Sequence, residues 1–227
     1  MENPEIYRKK LEHLFSNLIY RYRLLDEIRS YTNRYLAAEF NLIELLATRE
    51  EDISRIIAAL LDPCGGHGQG SVFLKRFLEK LGISTDRNIQ EATIRREVTI
   101  DESRRIDILI EFSDGFMLGI ENKPWAGDQR NQIEDYASFL ERLTGGNYKL
   151  LFLGGYRKKP SEWSISRDKR LSLEQQGKLV YKSYADLLLS WLKECLKESE
   201  SDKVRWFIRD FITWIENNFK RMQDDEG

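Results

Sequence analysis

The sequence predicts an α/β domain, a mixed sheet flanked by helices, with helical additions at both ends of the chain. Two observations predict it. Apolar residues at helical spacing fill both ends, whereas from residue 93 short runs rich in Ile, Val, Leu and Phe take over. Those runs come in the order three strands, helix, strand, loop, strand, and a helix between strands is the mark of a crossover.

Residues 5–47 read as helix in two pieces. Leu11, Leu14, Phe15, Leu18 and Tyr22 follow helical spacing, as do Leu42, Ile43, Leu45 and Leu46. Arg21, Arg23, Arg29 and Arg34 make this stretch locally basic, either as a solvated face or as a phosphate-binding one. In 49–61, Ile53, Ile56, Ile57, Leu60 and Leu61 form one apolar stripe. Pro63, Gly65, Gly66, Gly68 and Gly70 then break the chain. Ser71 is placed to cap a helix over 72–81, which Gly82 ends.

TIRREVTI (93–100), RRIDILIEF (104–112) and GFMLGIEN (115–122) read as strands, the last two joined by a hairpin at Ser113-Asp114-Gly115. A polar helix over 128–143 stops at Gly145-Gly146, and KLLFLG (149–154) is a strand of the buried type. Residues 157–177 read as polar loop, LVYKSY (179–184) as a strand, and 184–197 and 203–219 as helices before a DDEG tail. Trp191, Trp206 and Trp214 read as core. The expectation is a single domain over 1–227: a helical extension (1–48), a core (49–200) and a C-terminal helix with its tail (201–227).

With 36 Lys plus Arg against 38 Asp plus Glu, the formal charge is −2, which excludes a uniformly basic nucleic-acid coat but not a local basic patch. Two cysteines (Cys64, Cys195) make no disulfide framework, and two histidines make no His-rich metal site. MENPEIYRKKLEHLF lacks the apolar centre of a secretory signal, and no apolar run is long enough to span a bilayer. A cytoplasmic location is therefore expected.

The chemistry concentrates in RRIDILIEFSDGFMLGIENK (104–123). Asp107 is an acid inside an apolar strand, costly unless paired or bound to a metal. Glu121 and Lys123 share one face of the next strand, and Asn122 points to the other with its carbonyl still able to turn to a metal. Hairpin pairing can bring Asp107 beside Glu121. Two carboxylates and a carbonyl suit Mg²⁺, and an adjacent ammonium can orient water and offset phosphate charge. The other reading leaves Glu121 and Lys123 as edge charges and pairs Asp107 with Arg104 or Arg105. Gln132 and Tyr136, four apart on the next helix, can line the same cleft. Glu50, one turn before Ile53, is either a further ligand or support, or a helix N-terminal charge favoured by the macrodipole.

At these residues the sequence resembles the PD-(D/E)XK nuclease superfamily. Asp107 matches the first acid of its motif, Glu121-Asn122-Lys123 its (D/E)xK, and Gln132 to Tyr136 the QxxxY of the branch that contains lambda-type exonucleases and bacterial recombination nucleases. The stretch 53–83 is similar to the N-terminal block of a bacterial group within the superfamily. Glu50, Ser54, Leu60-Leu61-Asp62-Pro63, His67-Gly68-Gln69-Gly70 and Phe73-Leu74 match it, with Ile53 where that group has a histidine. YKSYADLLLSWL resembles its C-terminal block, so the likeness covers about residues 40–195.

The resemblance implies an αβββαβ core of the restriction-endonuclease type. It implies Mg²⁺ or Mn²⁺ on Asp107, Glu121 and the Asn122 carbonyl with Glu50 completing the set, and Lys123 assisting water. Gln132 and Tyr136 would position the site or the strand, and His67 would stand near the metal or only form a flexible turn. Arg95, Arg96, Arg104 and Arg105 are candidates for phosphate contacts, or for a solvated face that discourages edge pairing. Trp125 would stack on a base or pack at the strand exit. The resulting expectation is a metal-dependent deoxyribonuclease, with a catalytically inactive binding module and an RNA-cleaving nuclease as alternatives. DNA is the expected partner, and a homodimer through the N-terminal helices would supply two active sites.

Overall fold

The computed structural model describes residues 4–37, 40–47, 49–101, 103–125, 127–156 and 159–220. The chain divides into two units, Met1–Asn41 and Leu42–Gly227. The first contains one long helix, α1 (Pro4–Leu36). Leu11, Leu14, Phe15, Leu18 and Tyr22 on α1 are all exposed. The 224–227 tail lies outside the described residues.

The second unit begins with α2 (Leu42–Leu46), α3 (Glu50–Leu61) and α4 (Val72–Lys80). The apolar stripe of α3 is buried through Ile53, Ile57, Leu60 and Leu61, each contributing about 1.5–3 kcal/mol. Ser71 does not cap α4; its Oγ accepts from Gln90 Nε2 at 2.8 Å instead. Strands β1 (Thr93–Asp101), β2 (Arg104–Glu111) and β3 (Met117–Lys123) follow. The β2–β3 hairpin closes where Gly115 N–H donates to Phe112 O, with Gly115 at φ 80°.

Next come α5 (Gln132–Thr144), β4 (Tyr148–Gly154), α6 (Arg167–Gln175) and β5 (Leu179–Ser183). Helix α6 corrects the expectation of a loop over 157–177. Its only apolar residues are Leu171 and Leu173, of which Leu173 alone is buried, so it leaves no periodic apolar signal. α5 starts later than expected because Asn131 is left-handed, at φ 58°. A π-helical turn (Tyr184–Leu188) leads into α7 (Leu189–Glu198), and α8 (Asp202–Ile215) runs into a second (Glu216–Lys220). Trp206 is not core: it is exposed and carries the Arg209 guanidinium over its ring. It stands about 200° around α8 from buried Ile208.

The five strands lie in sequence order, β1 to β3 antiparallel and β3 to β5 parallel. This is the expected mixed sheet, with helices packed on both faces. Ile108, Ile110, Leu118 and Ile120 face the larger core, shared with α3, α4, α7 and α8. Leu109, Leu150 and Phe152 face a smaller core under α5 and α6. Gly119 sets how closely α5 approaches: a Cβ there would meet Leu140 Cδ1 at 3.0 Å and Leu150 Cδ1 at 3.2 Å. No helix among the described residues is long and apolar enough to cross a membrane.

Candidate active site

The site forms where β2 and β3 part. Their ladder ends at Ile108–Ile120. One step further Asp107 would face Glu121, and there a side chain replaces the ladder: Asn122 N–H donates to Asp107 Oδ2 at 2.7 Å. The parting leaves room for two acids that an unbroken ladder would press together. α3 delivers a third. One carboxylate oxygen each from Glu50, Asp107 and Glu121 lie within 4.8 Å of one another.

Lys123 spans this group. Its Nζ lies 2.7 Å from Glu50 Oε1 and 2.9 Å from Glu121 Oε1. Gln132 Nε2 donates to the same Glu121 oxygen at 2.7 Å and to Tyr136 OH at 3.0 Å. Tyr136 OH in turn donates to Arg105 O at 2.6 Å. The i, i+4 pair on α5 therefore stands behind Glu121, fully buried, rather than lining an open cleft. Glu121 is 0% exposed, and its Oε2 is buried with no hydrogen-bond partner. An ionised oxygen left so is costly in a finished core. The donor set is all oxygen, which fits a hard divalent cation.

Electrostatics follow from the crowding. Burial pushes Asp107 up to about 7, with Glu50 and Glu97 adding to the rise and the Asn122 N–H and Lys123 opposing it. Burial, and then the charge of Asp107, push Glu121 well above the carboxylate range. Burial would lower Lys123, but the charges and hydrogen bonds of Glu121 and Glu50 overcome it and hold the ammonium protonated.

The other candidates lie elsewhere. His67 Nδ1 accepts from Gln69 N–H at 3.0 Å, which leaves Nε2 to donate to Asp62 O at 2.8 Å. Its ring stacks on Phe73, so both nitrogens serve the turn and His67 does not join the three acids. Arg104 pairs with Asp135 at 2.7 Å and donates to Arg130 O, tying β2 to the start of α5. Arg105 pairs with Glu97 at 3.6 Å and Arg95 with Glu111; Arg95, Arg96 and Arg105 are exposed. Trp125 is half exposed and packs against Trp214 and Phe219.

Spacing alone does not reveal two further features. Glu97 lies opposite Asp107, between the Arg96–Ile108 and Val98–Ile106 pairs, at φ 50°. A bulky residue with that backbone is strained, a common companion of functional sites. Behind the sheet, Asn122 Nδ2 donates to Ser54 Oγ at 2.9 Å and Tyr184 OH donates to Asn122 Oδ1 at 2.5 Å.

Residues 39–213 match the family model of the PD-(D/E)XK nuclease superfamily. The chain belongs to that superfamily. Membership implies nuclease activity with a divalent metal, and the acids Glu50, Asp107 and Glu121 fit it. No curated protein and no solved structure matches the chain.

Proposed function

We propose that the protein is a Mg²⁺- or Mn²⁺-dependent deoxyribonuclease that hydrolyses phosphodiester bonds. The observation that carries this reading is the buried, unpartnered Glu121 Oε2 beside the carboxylates of Glu50 and Asp107. Asp107, Glu121, Glu50 and the Asn122 carbonyl would hold the cation. When bound, a divalent cation supplies Lewis-acid polarisation of the phosphate and an activated water. Lys123 works as a fixed ammonium rather than a base, because its partners hold it charged. It would donate to a phosphate oxygen or orient the attacking water. Gln132 and Tyr136 position Glu121, in keeping with the QxxxY branch. Arg95, Arg96 and Arg105 would meet phosphates further along the strand.

Leu11, Leu14, Leu18, Leu25 and Ile28 are exposed at spacings of three and four or their sum along α1, which supports a homodimer through that helix. The experiment is cleavage of linear and circular DNA by wild type and Glu121→Ala with Mg²⁺, Mn²⁺ or EDTA. Metal-dependent cutting that vanishes in the variant is expected. Equal cutting by both proteins, or cutting in EDTA, would overturn the proposal; RNA cut in place of DNA would move it to the other nucleic acid.

A further inference from the structure

Asn122 sits between two site residues, Glu121 and Lys123, yet its side chain leaves the site altogether. It points through the sheet into the larger core. There it meets Ser54 on α3 and Tyr184 in the π-helical turn after β5. The three residues are 0–2% exposed, so no solvent can take the place of a missing partner.

The direction of every bond in this group is fixed by chemistry. The Asn122 Oδ1 has no hydrogen, so Tyr184 OH donates to it. The amide nitrogen must then face Ser54, whose Oγ accepts from Nδ2. That leaves the single Ser54 hydrogen for the backbone carbonyl of Glu50, 3.1 Å away. The result is a one-way relay: Tyr184 OH to Asn122 amide, Asn122 amide to Ser54, Ser54 to Glu50. The other end of Asn122 is equally committed, because its peptide N–H holds Asp107 Oδ2 at 2.7 Å.

Resting on the metal-site reading above, we infer that Ser54, the Asn122 side chain and Tyr184 form a positioning relay that holds the acids in register from behind the sheet. With both ends of its amide clamped, Asn122 cannot rotate. Its N–H therefore stays aimed at Asp107, and its carbonyl keeps one direction. Through Ser54 the same residue fixes the first turn of α3, and with it Glu50. One buried amide thus couples two acids, delivered by different elements, to the strand that carries the third. Partners that orient ligands in this way commonly change metal affinity or activity by about 10–100-fold when removed.

The test is calorimetry of Mn²⁺ binding by wild type, Tyr184→Phe, Ser54→Ala and the double variant, with DNA cleavage and metal-free melting on the same samples. Tyr148→Phe is the control, a buried tyrosine of the smaller core whose hydroxyl bonds Glu141. The relay predicts about tenfold or greater loss of Mn²⁺ affinity in each single variant. It also predicts a lower kcat with KM for DNA little changed. The double variant should lose much less than the product of the singles, because both act through one amide. Tyr148→Phe should keep wild-type affinity even where its melting temperature falls as far. Wild-type Mn²⁺ affinity in both single variants, or an equal loss in the control, would overturn the inference. Ser54→Ala removes a smaller group and keeps the inference falsifiable should Tyr184→Phe fail to fold. If wild type binds Mn²⁺ but cuts no nucleic acid, the nuclease reading fails while the affinities still decide the relay. If it binds no Mn²⁺, both fail.

Discussion

Glu121 and Asn122 are neighbours in sequence, both fully buried, and they lie on opposite sides of β3. Behind the strand, the oxygen and nitrogen of the Asn122 side chain each have a partner. In front, Glu121 has one oxygen shared by Lys123 and Gln132 and another with none. Polar burial on the back is complete, and on the front it is left open. A saturated group serves the fold, and an unsaturated charged one keeps a place for a ligand. The protein accepts the energetic penalty on the one side and supports it from the other.

The largest effect that tests this contrast is a split between function and stability. Glu121→Gln should lose cleavage by more than about 100-fold, beyond what loss of a supporting residue gives. Its metal-free form should melt about as high as wild type, because burial already favours the uncharged carboxyl that glutamine resembles. Asn122→Ala should behave in the opposite sense for stability. It strands Tyr184 OH and one bond of Ser54, at about 1–3 kcal/mol for each buried group. Activity assays paired with thermal melts would check both. A large drop in the melting temperature of Glu121→Gln would mean that the front face is structural too.

A middle-sized effect belongs to α5. Gln132→Ala removes a donor to Glu121 without removing a ligand, so a loss of about 10–100-fold in cleavage is expected. Tyr136→Phe should lose less, since Gln132 keeps its bond to Glu121. Steady-state rates at saturating Mn²⁺ would rank them. A Gln132→Ala loss equal to that of Glu121→Gln would make Gln132 part of the reaction rather than its support.

How much of this was legible in the sequence depended on contrast. Asp107, Glu121 and Lys123 stood out because charges interrupt runs of Ile and Leu, and period two put Glu121 and Lys123 on one face. Gln132 and Tyr136 followed from helical spacing. Tyr184 could not be read this way. It lies 62 residues from Asn122 among Leu and Ala, where a tyrosine looks like ordinary core. Ser54 was visible only through likeness to a family block. His67 and Arg104 were conspicuous residues whose partners, Asp62, Gln69, Asp135 and Arg130, became apparent only in three dimensions. Helix α6 escapes because a polar surface helix has little periodicity to read, and Trp206 reads as core because apolar residues lie close by in sequence, although it stands about 200° around α8 from buried Ile208.

The last effect is a pH dependence that separates the two sides of β3. Burial raises Asp107 from 3.8 to about 7 in the folded, metal-free protein. The folded state therefore holds a proton there that the unfolded state has released between those values. A group raised in this way contributes stability that is full below about pH 4 and is lost as pH rises through 7. Glu121 acts in the same direction. Asp107→Asn keeps an acceptor for the Asn122 N–H and removes the titration. The melting temperature of wild type minus that of Asp107→Asn should fall between pH 4 and pH 7 and level off above pH 8. The same comparison made on Tyr184→Phe should show no such slope, because the back face exchanges no proton over this range. A difference that stays flat across pH would mean that Asp107 is ionised throughout, and that the front face is better compensated by Lys123 than its burial implies.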